Sequence, residues 1–266
     1  MTSRLFDIPN SPSSKCRSLG LKVALSALLI TASGSALAQW EGSVGAGVFS
    51  VPEYLGSDEN ETRVWPNASI TYGDSFYAGV REGIGWNLFR QGGWQISPFF
   101  SYLPGRDNDG ELSGLDEVDD AAALGLRARY SSGPWMLEAA TKTPLGGDID
   151  GYEADLKANW SAMLTDQMAF SIGPEVTYSS DNWTDDLFGI SPAESARSGL
   201  AVYRPKDGYF RLGLTSRLSY YLSRDWSVTG LMGVTRLTGD AADSPIVDDV
   251  GDETQLMGGA LINYHF

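Results

Sequence analysis

The stretch T-Q-L-M-G-G-A-L-I-N-Y-H-F, residues Thr254–Phe266, decides the fold. Successive side chains of a strand point to opposite faces. Phe266, Tyr264, Ile262, Ala260, Gly258 and Leu256 therefore share one apolar face, and His265, Asn263, Leu261, Gly259, Met257 and Gln255 share the other, mostly polar one. An apolar, aromatic strand left at the edge of a soluble sheet invites aggregation. A strand that closes a barrel inside a membrane has no free edge. Phe266, Tyr264 and Ile262 also form the alternating aromatic and apolar pattern of a signal for outer-membrane assembly machinery. The competing reading is the last strand of a soluble sandwich.

The amino-terminal region points to export. Lys15, Arg17 and Lys22 form a basic region, Val23–Thr31 a short apolar run, and Ala36-Leu37-Ala38 a small-residue cleavage site. That is the layout of a secretory signal peptide, with the apolar run too short to span a bilayer. Cleavage after Ala38 is expected to leave Gln39 first, so residues 1–38 are read as a leader and 39–266 as a single barrel domain. The one cysteine, Cys16, lies in the leader. Disulfides, thiolate metal sites and cysteine catalysis are thereby excluded from the mature chain. The full chain carries a net charge of -15. Without the leader's four basic and one acidic residues, 15 basic and 33 acidic residues remain. Such acidity argues against a nucleic-acid partner. No apolar window of about 18 residues exists after the leader, so no membrane helix is expected.

From Trp40 onward, segments of about ten residues with period-two apolarity alternate with clusters of Gly, Asp, Asn, Ser and Pro. Asp150–Leu164 is the clearest: Tyr152, Ala154, Leu156, Ala158, Trp160, Ala162 and Leu164 lie on one face. Aromatics such as Trp40, Tyr72, Trp94, Tyr130, Trp135, Tyr178, Tyr220 and Trp226 fall near strand ends on the apolar face, as in the two girdles of a membrane barrel. The opposite face carries charges of both signs at mid-strand, including Arg127, Arg129, Glu153, Asp155, Arg211 and Arg217. These are expected to line a lumen, with Lys157 or Arg129 neutralising Glu153 and Asp155. The fold class expected is all-β: a transmembrane antiparallel up-and-down barrel of twelve strands, with ten as the alternative. Eleven strand candidates are countable, whereas termini on one side of the membrane require an even number. The twelfth comes from a bulge or turn at Glu82, which interrupts the apolar face of Ser75–Phe89, or from an extra strand over Trp183–Ile190. No helical stretch of useful length is expected.

Three stretches resemble the MipA/OmpV family of outer-membrane proteins, the MltA-interacting protein family. The first is V-G-A-G-V-F-S-V-P-E-Y-L-G-S-D, Val44–Asp58, centred on Pro52, Tyr54, Gly56 and Ser57. The second is L-F-G-I-S-P-A-E-S-A-R-S-G-L-A-V-Y, Leu187–Tyr203, with Gly189, Ser198, Gly199 and Tyr203. The third is R-L-T-G-D-A-A-D-S-P-I-V, Arg236–Val247, with Gly239, Asp240, Asp243, Ser244 and Pro245. The resemblance implies an outer-membrane barrel in contact with lipid and lipopolysaccharide. It also implies a non-catalytic scaffold that joins a lytic transglycosylase to a murein synthase. As loops on a rigid barrel, the motif segments are read either as partner or plug contacts or as structure that holds the barrel mouth shut.

Enzyme chemistry finds little footing. Barrel hydrolases need a His beside a nucleophile, and His265 is the only one. It is expected at the periplasmic rim. The acidic loop Gly105–Asp119 has hard oxygens suited to Ca²⁺ but only a fragment of an EF-hand spacing, and is read as solvated. No catalytic, cofactor or metal site is assigned, and a monomer is expected. A narrow solute pore or a surface antigen is the alternative function.

Overall fold

The computed structural model describes residues 39–266; the leader and its cleavage site at Ala36–Ala38 lie outside the described residues. Twelve antiparallel strands form one sheet closed on itself. They are β1 (Trp40–Pro52), β2 (Asn60–Tyr72), β3 (Phe76–Gly79), β4 in two pieces (Gly83–Trp86 and Phe89–Gln91), β5 (Trp94–Leu103) and β6 (Ala121–Ser132). The circuit continues with β7 (Trp135–Pro144), β8 (Glu153–Thr165), β9 (Met168–Ser179), β10 (Tyr209–Tyr221), β11 (Trp226–Leu237) and β12 (Thr254–His265). β12 lies between β11 and β1, with Tyr264 opposite Val44 and Ala260 opposite Val48. The terminal strand therefore closes the ring, satisfying backbone groups that lipid cannot.

The strand count is settled at Glu82. The chain turns at Val80–Glu82 and divides Ser75–Phe89 into β3 and β4. Both pieces of β4 pair with β5, and Asn87 and Leu88 form the kink between them. Trp183–Ile190 is not a strand: Asp181–Phe188 forms helix α1. A second helix, α2 (Pro192–Ser198), follows, so Ser179–Lys206 holds two helices where none is expected from periodicity. No helix among the described residues is long and apolar enough to cross a membrane.

The strand faces follow the alternation. Val44, Val64, Leu126, Leu156, Leu214, Val228, Leu256 and Ile262 point out and are exposed. Aromatic pairs ring the end that carries the short turns: Trp40 on Tyr72 at 4.7 Å, Trp94 on Tyr130 at 4.9 Å, and Trp226 on Tyr264 at 5.2 Å between ring centroids. Tyr152, Tyr178 and Phe210 form part of a second belt at the end with the long loops. Short turns lie on the periplasmic side of such barrels and long loops outside.

Candidate functional site

The long external loops fold over the barrel mouth and build a hydrophobic core there. Leu103, Val118, Ile149, Trp183, Phe188, Tyr209, Leu237 and Val247 form one buried cluster. They come from β5, the β5–β6 and β7–β8 loops, α1, β10, β11 and the one-turn helix α3 (Pro245–Asp248), so the cluster reaches around the ring. A second cluster joins Leu112, Leu115, Ile190 and Ile246, with Tyr54 and Tyr203 against it. The acidic loop is thus pinned rather than simply solvated: Leu112, Leu115 and Val118 are its buried anchors. No group of metal-ligating side chains forms among the described residues.

The three motif stretches meet in this cap. The Tyr54 hydroxyl donates to the Val250 carbonyl at 2.8 Å, and the Asp252 amide donates to the Gly56 carbonyl at 2.8 Å. Gln255 of β12 donates to the Tyr54 and Ser57 carbonyls at 3.1 and 3.2 Å. Pro52 ends β1 beneath them. Gly189 ends α1, and its amide donates to the Asp185 carbonyl. Ser191 and Glu194 form a capping box at the start of α2, while Gly199 ends it in the left-handed conformation. Ser198 donates to the Glu194 carbonyl at 2.8 Å. The Tyr203 hydroxyl donates to the Asp240 carbonyl at 2.8 Å. Ser244 is fully buried, caps α3 and donates to the Phe188 carbonyl at 2.7 Å. Gly239 opens the 3₁₀ turn Gly239–Ala241, and Pro245 is buried at the first position of α3. Among the motif residues named from the sequence, Asp243, Gly199 and Gly239 are the exposed members.

Gly56 has φ of 103°, and a Cβ there would lie 2.6 Å from Val247 Cγ2. Gly56→Ala is expected to cost about 1–3 kcal/mol of local stability. Faster proteolysis of loop 238–253 in folded barrels would reveal it.

Charge in the cap is arranged unevenly. The backbone amides of Lys206 and Asp207 hold the Asp240 carboxyl below the usual carboxylate range. Burial, followed by the neighbouring Asp150, Asp185 and Asp148, pushes Asp186 up, although the Asp150 amide opposes this. A depressed carboxyl contributes stability above its unfolded pKa and loses it as pH falls through the folded value. A raised carboxyl costs stability when ionised, and that cost disappears as pH falls through its raised pKa. Mild acid is therefore expected to tighten the cap and stronger acid to loosen it. Hydrogen exchange over 181–208 and 239–250, corrected for intrinsic rates, reads both limbs.

Beneath the cap the lumen is charged on one side. Glu153 is 3 % exposed and takes Lys142 at 2.7 Å and Arg211 at 3.6 Å. Asp155 accepts from the Thr177 hydroxyl at 2.7 Å. Arg129 meets Glu138 at 2.6 Å, with Arg127 at 3.6 Å from the same carboxylate. Lys157 pairs with Glu175 at 3.4 Å. The pairing expected from the sequence, in which Lys157 or Arg129 neutralises Glu153 and Asp155, is thus corrected. Antiparallel register places Lys142 beside Glu153 and Glu138 beside Arg129, and period-two reading of single strands does not carry that register. Arg217 has no carboxylate within ion-pair distance among the described residues. Lys142 Nζ lies 5.8 Å from the Trp183 ring centroid, so Trp183 is the floor of the cap above the lumen charges.

At the periplasmic rim, His265 Nε2 and Ser227 Oγ are 2.9 Å apart. Sequence reading finds the His but not this cross-strand partner. His265 forms no ion pair with a carboxylate among the described residues. The pair therefore lacks the orienting group of a hydrolytic triad.

The family model described as MltA-interacting protein MipA matches residues 44–266. The chain is 32% identical over 238 residues to the MltA-interacting protein of Escherichia coli K12, covering 85% of this chain and 92% of that protein. It is 26% identical over 238 residues to the outer membrane protein OmpV of Vibrio cholerae, covering 86% of this chain and 87% of that protein. Among solved structures, the outer membrane channel DcaP of Acinetobacter baumannii is similar over 85% of this chain and 96% of its own, with 10% identity and a TM-score of 0.42. The barrel, its aromatic belts and these relatives place the protein in the outer membrane, and the chain belongs to the MltA-interacting protein MipA family.

Proposed function

We propose that this barrel is a non-catalytic scaffold of the outer membrane. It would hold peptidoglycan-remodelling enzymes, a lytic transglycosylase and a murein synthase, at the periplasmic face. The observation that carries the reading is the cap: the external loops pack a hydrophobic core across the mouth. The name of the Escherichia coli relative, MltA-interacting protein, supports association with a murein enzyme. Pairing of most lumen charges with one another also favours a filled interior over a solute path.

The surface left for a periplasmic partner is the rim of short turns, including Asp166–Gln167 and Ser223–Asp225. Affinity capture of the tagged protein from cross-linked envelope extracts is expected to recover a transglycosylase and a synthase. Reversal of charge at Arg224 and Asp225 is expected to reduce recovery, and reversal at Asp107 and Asp109 outside to leave it unchanged. Recovery of neither enzyme by the unaltered protein would contradict the scaffold. Ser227→Ala is expected to leave recovery intact.

A further inference from the structure

The barrel wall is incomplete on one side. β3 has only four residues, and its turn to β4 comes at Val80–Glu82. The Val80 amide donates to the Ala68 carbonyl at 3.0 Å, and this is the last wall hydrogen bond on that edge of β2. Beyond it, no strand among the described residues pairs with the free edge of β2 over residues 60–67. Across the break, residues 101–103 of β5 likewise pair only with β6.

The height of this break follows from the register. Ala68 lies four residues above the girdle residue Tyr72, about 10 Å along the axis for a tilted strand. The apolar band of such a barrel is about 25 Å tall. The hairpin therefore stops near the membrane midplane, and the break opens onto the outer leaflet. Tyr102, at the external end of β5, stands beside it with 66% of its surface exposed.

Two features identify what the break can admit. The first is backbone chemistry. On β2 the even residues direct their amide and carbonyl groups to the open edge, as Ala68 does. Pro66 occupies one of these positions and has no N–H to strand. Among the described residues, only Thr62 and Val64 then leave both groups unpaired on the membrane-facing part of the edge.

The second is the lumen behind it. The charged side described above runs over β6–β10. The side behind the break carries Phe49, Trp65, Leu231, Met257 and Leu261 on inward positions of β1, β2, β11 and β12, with Arg63, opposite Phe49 and on the same face of β2 as Trp65, paired to Glu61 above them. Trp65 points inward yet is 42% exposed, and its ring sits 5.6 Å from that of Phe49. Phe49 lies flat on the wall because Gly47 and Gly259 have no side chains beneath it. An aromatic and aliphatic surface at leaflet depth, reached through the side of the barrel and topped by an Arg63–Glu61 pair toward the external end, matches an alkyl chain below a polar headgroup rather than a hydrated ion.

We propose that this break is a lateral binding site for an acyl chain of an outer-leaflet lipid, which enters between β2 and β5 and packs on Trp65 and Phe49. The site is independent of the scaffold reading, since it lies on the opposite side of the membrane from the periplasmic rim. The competing occupant is an extended segment of a second copy, paired with the free edge of β2.

The test places photoreactive p-benzoylphenylalanine at Trp65, at lipid-facing Val228, or at Thr215 on the inward face of β10. Each protein is reconstituted in palmitoyl-oleoyl phosphatidylcholine vesicles, checked for heat-modifiable gel mobility, illuminated and weighed intact. Lipid adducts are expected at positions 65 and 228 and not above background at 215. Labelling at 228 without labelling at 65 would overturn the proposal, as would equal labelling at 215. A covalent dimer from position 65 would overturn it in favour of strand pairing. Should the Trp65 variant lose heat-modifiable mobility, the same probe at Met257 on the same lumen side carries the test with the same outcomes.

Discussion

Replacing Trp183 with alanine is expected to open the external mouth while leaving the barrel wall folded. Trp183 is 2 % exposed and sits in the buried cluster that joins loops from around the ring. Below it stands Lys142, within cation–π distance of the ring. Truncating a buried Trp removes its burial energy and leaves a cavity, at a cost of about 3–5 kcal/mol. That loss should fall on the cap, because none of the wall's strand pairings involves Trp183. Heat-modifiable gel mobility should persist, loops 104–120 and 180–208 should become protease-sensitive, and bilayer recordings should show new flickering conductance. Phe188→Ala, in the same cluster and 5.4 Å ring-to-ring from Tyr209, should act in the same direction. A Trp183→Ala barrel with protease-resistant loops would show that the cap does not depend on this core.

Glu153→Gln is expected to destabilise the barrel itself. Glu153 neutralises two cations, Lys142 and Arg211, and accepts from the Ser179 hydroxyl at 3.3 Å. Glutamine keeps the shape and removes the charge, so two cations lose their counter-ion in a buried setting. Removing one partner of a buried ion pair costs about 3–5 kcal/mol. The exposed pair Arg236–Glu253 supplies the contrast: Arg236→Ala is expected to change stability by less than about 1 kcal/mol. Denaturant unfolding in vesicles, followed by gel mobility, should separate the two variants clearly. Equal midpoints would mean that water reaches Glu153 freely and that the lumen is more open than its contacts suggest.

Much of the wall was legible because membrane strands obey a simple rule. Side chains alternate, aromatics gather at the ends, and the terminal strand closes the ring, with Tyr264 opposite Val44 and Phe266 bonded to Gly42. The interruption at Glu82 was readable as a charge on the apolar face, but sequence alone left a bulge, a turn or an extra strand over Trp183–Ile190 open, and only the strand pairing selects the turn. The helices were harder. α1 and α2 have eight and seven residues, too short to show a periodic face. A signal was nevertheless present in Ser191-Pro192-Ala193-Glu194, a capping box with proline at the first helical position. The ion-pair partners were not legible, because they depend on which residues lie opposite across two strands. The break beside β2 was hidden for a related reason. A four-residue β3 shows itself only against the thirteen residues of β2.

Conductance of the purified protein in planar bilayers tests the central claim most directly, since it asks whether this barrel is closed by its own loops. The capped barrel is expected to remain silent under conditions in which Trp183→Ala shows openings. Steady channels of nanosiemens size from the unaltered protein would contradict it and make the barrel a solute pore.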